Sequence, residues 1–274
     1  FTLADDGDIA SLNALAGFAE GAISTTITDT SGQYLLVDNS GDGGTQLDMN
    51  AADSITINFT SFTADATKVA EIEDLVQENG VSSITTSASD SKVTITADLA
   101  EDVGAISDSS DKIALDFVLS NQSNIAKASA LVGNTSGTVT FHSDGISDSV
   151  GNFTNDANDA ISSGFTAITT AQDDVNITLT GFTTPASEAE VAALNLAGAA
   201  TDGTTTASFS ATAARAAQIS SSAFAGGADD LTITVTTGIG VTAFNTLNAR
   251  TDQNLILTGG ISDGLSALYS GDDL

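Results

Sequence analysis

The chain has 274 residues, with 36 acidic side chains against six basic ones, and its formal net charge is -30. The absence of cysteine excludes disulfides, thiol catalysis and thiolate metal sites, and so acidic a chain repels the phosphates of nucleic acids. No apolar run approaches the roughly 18 residues that a transmembrane span needs. Because the chain opens at Phe1, we expect a processed mature chain or a fragment of a longer one.

Short segments in which Thr or Ser alternates with Ile, Val, Leu or Phe predict β-strands along most of the chain. The apolar face of each strand would contribute to the core, and the Thr face would be exposed or paired across strands. The predicted strands are 22–28, 54–60, 92–97, 112–119, 138–142, 175–180, 205–210, 231–236 and 254–258.

Apolar residues at helical spacing predict short helices between some of these strands. Asp65 is the predicted N-cap of one helix, and Ser187 with Glu190 forms a predicted capping box for another. Helices this short are marginal in isolation, so they must pack on the strands. The predicted helices are 8–18, 65–77, 187–196, 213–224 and 241–247.

The sequence also resembles itself, because an Ile-Ser/Thr-Asp tripeptide recurs at four places and the last four predicted strands each lie one helix-like segment apart. These patterns indicate strand–helix repeats, although a composition rich in Thr, Ala and Asp would by itself make segments of the chain resemble one another. We expect a mainly β chain with short helices in three parts. A repeat-like unit (1–52) and a strand–helix repeat unit (171–274) would bracket a β-sandwich-like, Ig-like middle (53–170). The flanking parts would be α/β solenoid-like or further sandwich repeats.

One motif resembles a known family of surface repeats. Within 138–156, the pattern Ile146-x-Asp148-x-x-Gly151-Asn152 is similar to the signature of bacterial Ig-like repeats. With the Leu-Asn pairs and the segments LTITVT and LILTGGISD, the chain resembles the repeat regions of large secreted bacterial surface proteins. Cyanobacterial-type S-layer proteins and haemolysin-like adhesins are examples. The resemblance implies a structural, self-assembling or adhesive role outside the cell, often dependent on calcium.

A first candidate calcium loop lies near residue 40. Asp38, Ser40 and Asp42 occupy alternate positions before a glycine, as in the first half of an EF-hand loop. Met49 occupies the twelfth position, where a bidentate Glu belongs, and Asp48 falls one residue early. The segment therefore predicts either a Ca²⁺ site or an Asx-type turn.

A second cluster of oxygen-bearing side chains follows the predicted strand 138–142. Hard oxygen ligands suit Ca²⁺ better than zinc or copper, and the alternative is a solvated acidic loop. The cluster comprises Asp144, Asp148, Asn152, Asn155, Asp156, Asn158 and Asp159. Asp108 with Asp111 is a further candidate, for which turn chemistry is the alternative.

Signals for catalysis are poor. His142 is the only histidine, so any histidine-based site would have to be built around it. No phosphate-binding loop, dinucleotide fingerprint or nucleophile-elbow motif occurs. We therefore expect a non-enzymatic, extracellular surface protein that self-associates into an S-layer, filament or adhesin through calcium-bridged carboxylates. The alternatives are a carbohydrate- or cell-binding module that contacts cell-surface glycan, and a secreted hydrolase.

Overall fold

The structure is a computed structural model that describes residues 22–29, 53–78, 80–86, 90–108, 111–220, 223–224, 229–248 and 255–264. The chain divides into two compact units, which we call unit 1 (Phe1–His142) and unit 2 (Ser143–Leu274). In the described part of both units, parallel strands alternate with helices.

Unit 1 contains two parallel sheets. Its strands are β1 (Ser24–Asp29), β2 (Ser54–Phe59), β3 (Phe62–Thr63), β4 (Val81–Thr86), β5 (Val93–Ile95), β6 (Ile113–Ala114), β7 (Phe117–Leu119) and β8 (Val139–Thr140). Its helices are α1 (Ala66–Gln77), α2 (Ala97–Ala105) and α3 (Ile125–Asn134). Sheet A has the order β1-β2-β4-β6, and sheet B has the order β3-β5-β7-β8. From β2 onward, the chain repeatedly contributes a strand to sheet A, a strand to sheet B and then a helix.

Unit 2 contains one five-stranded parallel sheet, sheet C, with the order β13-β12-β11-β10-β9. The strands are β9 (Ile146–Ser149), β10 (Ile177–Thr180), β11 (Thr205–Ala211), β12 (Asp230–Val235) and β13 (Leu255–Leu257). The connecting helices are α4 (Ser163–Ala171), α5 (Glu188–Ala199), α6 (Ala213–Ala216) and α7 (Val241–Asn248). We use "coil" for one turn of the chain from a strand to its neighbour, which takes about 22 to 31 residues.

The core of each unit follows the alternation of side chains along the strands. In β2, Ile55, Ile57 and Phe59 are fully buried, whereas Thr56 and Asn58 between them are only half-buried. The same pattern repeats in β12, whose Leu, Ile and Val side chains are buried between half-buried Thr side chains. Apolar burial therefore fixes which face of each sheet points inward.

Helices α2 and α3 pack closely in unit 1 because small residues lie between them. A Cβ atom added to Gly104 would lie 2.5 Å from the Cβ atom of Ala130. By contrast, a Cβ atom added to Gly133 of α3 would have no neighbour within 4 Å. Gly104 is therefore required by packing, and Gly133 is not.

The predicted mainly β class with a sandwich-like middle is wrong. The fold is mixed α/β, and every strand pair within sheets A, B and C is parallel. Two packed antiparallel sheets make a sandwich, whereas parallel neighbours require crossover connections, which helices supply here. Parallel sheets of this kind are typical of Rossmann-like folds, but each sheet here follows chain order without reversal.

Individual elements were predicted better than the fold class. Each of the nine predicted strands overlaps an observed strand, and β3, β4 and β9 were missed. The Asp65 side chain caps α1 by accepting from the Lys68 N–H at 2.9 Å, and Ser187 and Glu190 form the predicted capping box. The predicted helix 8–18 lies outside the described residues, and the three-part division at 52/53 and 170/171 stays a prediction.

Candidate functional site

The acidic segment after β8 contains three local pairs of side chains joined by hydrogen bonds. In the first pair, Asp148 Oδ1 accepts from Asn152 Nδ2 at 2.6 Å and from the Ser149 N–H at 2.8 Å. Asp148 lies in β9, and Asn152 lies in the 3-10 helix that follows. The carboxylate thus anchors the start of this helix.

The second pair closes the loop before α4. Asn155 Nδ2 donates to Asp159 Oδ1 at 2.7 Å, and the Asp159 N–H donates back to Asn155 Oδ1 at 3.2 Å. Thr154 Oγ1 donates to Asn158 Oδ1 at 2.7 Å, and Asn158 has a φ of 54°, in the left-handed region that Asn tolerates. The loop is therefore held by side-chain hydrogen bonds between residues four apart.

The other predicted ligands are placed less compactly. Asp144 and Asp156 are exposed in turns on either side of the 3-10 helix. Asp108 Oδ2 accepts from the Ile113 N–H at 2.8 Å, which leads the chain into β6, and Asp111 has a φ of 51°. The first candidate loop, with Asp38, Ser40, Asp42 and Asp48, lies outside the described residues.

Within the described residues, no three or more His, Asp or Glu side chains form a group that could hold a metal ion. Calcium also binds amide and backbone carbonyl oxygens, which such a group does not include, so this finding does not bear on calcium. The Ca²⁺ sites therefore stay a prediction.

Several acidic and amide side chains have a role in the structure that was not predicted from the sequence. Asp53, Asp116, Asn176 and Asp229 each directly precede a strand, and each accepts a backbone N–H at or just before the start of a neighbouring strand. The distances are 2.6 to 2.8 Å, and the partners are 22 to 30 residues apart in sequence. We call these four residues the pre-strand acceptors.

Side chains also link coils at helix N-termini. Asn121 Oδ1 accepts from the N–H of Ala97, the first residue of α2, at 2.9 Å. Asp263 Oδ2 accepts from the N–H of Val241, the first residue of α7, at the same distance. In each case the acceptor belongs to the following coil and satisfies a donor that the helix cannot satisfy itself. The Asp263 carboxylate also faces the positive end of the helix dipole.

Hydrogen bonds shift the pKa values of two carboxyl groups. Burial raises the pKa of Asp116, but bonds from the Thr138 N–H and hydroxyl, with the Lys92 ammonium nearby, outweigh it and hold the pKa below 3.8. Burial likewise raises the pKa of Glu190, but bonds from Thr183 and Ser187 outweigh it and hold the pKa below 4.5. Both carboxylates therefore stabilise the fold in their charged form.

The outward face of sheet C carries aligned hydroxyl side chains. The register places Ser147 beside Thr178 and Thr178 beside Thr206.

On the inward face, Thr205 is fully buried, and its hydroxyl has no hydrogen-bond partner in the described part of the chain. A buried hydroxyl without a partner is destabilising.

The comparisons with known proteins found no counterpart: no protein-family model, no curated protein and no solved structure matches the chain. Among the described residues, no helix is both long enough and apolar enough to cross a membrane.

Proposed function

We propose that the chain is an extracellular structural protein of a cell surface, which self-associates into a layer or filament, with calcium bridging its carboxylates. The observation that carries the proposal is the chain-order stacking of parallel coils in sheets A, B and C. In such a stack each coil contacts only its neighbours, so coils can be added and extended surfaces built. Structural and adhesive repeat proteins use this property.

The charge of the chain supports the calcium part of the proposal. Three of the few cations already pair with acids: Lys127 lies 2.5 Å from Asp98, Arg215 lies 2.8 Å from Glu188, and Lys92 lies 3.4 Å from Asp116. The great majority of the 36 acidic residues therefore need counterions from outside the chain. Divalent cations between copies would relieve this repulsion and join the copies.

The proposal is tested by titrating the full chain with Ca²⁺ while recording light scattering and thermal unfolding. We expect particle size to increase and stability to rise as RT ln(1 + [Ca²⁺]/Kd), which is about 2.7 kcal/mol at 100 times Kd. Mg²⁺ and Na⁺ at equal ionic strength separate specific bridging from screening.

The double variant Asp148→Asn with Asp156→Asn tests the second predicted cluster. The control is Asp90→Asn with Asp173→Asn, which removes the same number of carboxylates at two exposed turns outside the cluster. We expect the double variant to lose a larger part of the calcium response than the control. A particle size and a melting temperature that do not change when Ca²⁺ is added would refute the proposed function.

A further inference from the structure

The outward face of sheet C carries two regular rows of hydroxyl groups. The first row crosses β9, β10 and β11 and comprises Ser147, Thr178 and Thr206. The second row lies two residues further along the strands, crosses four of them and comprises Ser149, Thr180, Ser208 and Thr232. We call these seven side chains the hydroxyl array.

The array is accessible from outside the chain. Ser149, Thr180 and Ser208, which belong to the second row, are exposed, and the other four members are half-buried. Thr180 Oγ1 donates to Asp148 O at 2.9 Å, and its oxygen can still accept a hydrogen bond. The second row therefore presents hydroxyl oxygens to solvent on three adjacent strands.

The hydroxyl array has two fixed repeat distances. Neighbouring strands lie about 4.8 Å apart, and alternate residues of a parallel strand lie about 6.6 Å apart. Four of the seven members are Thr, whose branched Cβ atom restricts the direction of its hydroxyl and methyl groups. The sheet thus holds the array in order before any ligand binds, which lowers the entropy cost of binding.

The array is uncharged, although the chain has a net charge of -30. The first row ends where Asp230 of β12 pairs with Thr206, and no member of the array itself carries a charge. A cationic ligand is attracted to the carboxylates instead, and the net charge of the chain repels an anionic one. Charge complementarity therefore favours a neutral partner for this face.

The form of the array selects among neutral partners. Sites for small molecules are concave and lined mainly by apolar and aromatic side chains, whereas the array consists of Ser and Thr on the face of a sheet. A surface that repeats at two fixed distances is complementary to a solid that repeats at the same distances. On the prism faces of hexagonal ice, oxygen atoms repeat at distances close to both of those in the array.

We propose that the outward face of sheet C binds ice through the hydroxyl array. This activity goes beyond the proposed function and needs neither calcium nor self-association. Each hydroxyl exchanges a hydrogen bond to liquid water for one to ice, so a single contact contributes little. Because the seven groups are held on one sheet, the contacts that follow the first are intramolecular, and their effects multiply.

The test is to grow ice slowly in a dilute solution of the full chain without Ca²⁺ and to compare the protein concentrations in the ice and in the remaining liquid. Growing ice excludes solutes that do not bind it, so we expect the wild type to be enriched in the ice. The double variant Thr180→Lys with Ser208→Lys changes two exposed members of the second row. We expect it to lower the ice-to-liquid ratio by about tenfold or more.

Two further variants separate ice binding from effects of charge and folding. Thr170→Lys with Ala199→Lys adds the same charge at exposed positions near the ends of α4 and α5, and we expect the wild-type ratio. Ser208→Thr adds one methyl group to the array without a change in charge, and we expect a higher ratio. A gain of this kind cannot result from misfolding, so it tests the array even where the Lys variant does not fold.

The outcomes separate the two proposals. A wild type that growing ice excludes, or a ratio that both Lys pairs lower equally, overturns ice binding. Retention on crystalline cellulose without enrichment in ice also overturns it, because the array would then be a glycan-binding face. These results leave the proposed calcium-dependent self-association standing, whereas a chain that is enriched in ice but does not respond to Ca²⁺ refutes the proposed function alone.

Discussion

Replacing Asp53 by Ala tests whether the pre-strand acceptors hold the coils together. Asp53 is 7% exposed, and its Oδ1 accepts from the buried Ile23 N–H at 2.7 Å. The Ala variant leaves that N–H without its acceptor, which costs about 1–3 kcal/mol. Asp53→Asn keeps an oxygen at the same place, so we expect it to retain most of the stability.

The assay is thermal and urea unfolding of each variant, together with amide hydrogen exchange at Ile23. For a chain of this size, a loss of about 1–3 kcal/mol lowers the melting temperature by roughly 2–12 °C. Because a stack can open locally at one coil, exchange at Ile23 should accelerate more than exchange in unit 2. Asp90→Ala, at an exposed turn, is the control. If Asp53→Ala unfolds like Asp90→Ala and Ile23 stays protected, the acceptor role is refuted.

Three further predictions concern single positions. Thr205→Val should raise the unfolding free energy by about 1 kcal/mol, because it removes a buried hydroxyl that has no partner, whereas Ser208→Ala at an exposed position should leave it nearly unchanged. Glu190→Gln should destabilise the fold at pH 7. The difference in unfolding free energy from wild type should vanish as the pH falls from 4.5 through the lower folded-state pKa of the carboxyl group. A difference that persists at pH 2 would contradict this. Gly104→Ala should lower the unfolding free energy by about 1–3 kcal/mol through overpacking, whereas Gly133→Ala should raise it by about 0.5–1 kcal/mol, and equal shifts in urea unfolding would refute the packing argument.

The sequence predicted strands well and their pairing poorly. Alternation of Thr with Ile or Val reports a strand with one buried face, and β2 and β12 show that pattern as predicted. The same alternation occurs in parallel and antiparallel sheets, so it could not exclude a sandwich. The crossover helices decide the matter, and α2 and α3 were missed because Ala and Gly supply much of their packing surface. Because those helices were not predicted, the middle of the chain was interpreted as consecutive strands.

The acidic residues were located by sequence, but their hydrogen-bond partners were not. The role of Asp229 as acceptor for the Thr205 N–H depends on a register that joins residues 24 apart, which no local pattern contains. Their position in the sequence could have identified them, because each pre-strand acceptor lies one residue before a strand.

The position of the acids also explains how so charged a chain can stack. In sheet C, acidic residues lie just before or at the start of four successive strands, at Asp144, 173–174, Asp202 and 229–230, so they share the end of the sheet at which the strands begin. Neighbouring strands lie about 4.8 Å apart, where two exposed charges repel by roughly 1 kcal/mol in water. A backbone N–H donated to a carboxylate, as Thr205 donates to Asp229, offsets part of that repulsion within the fold. The remaining repulsion is between exposed carboxylates at the end of the sheet where the strands begin, where counterions reach them, while uncharged Ser and Thr side chains occupy most of the outward face. Most of these acidic residues thus lie at the starts of the strands rather than within them, so each successive coil places its acidic residues beside those of the previous coil without burying them.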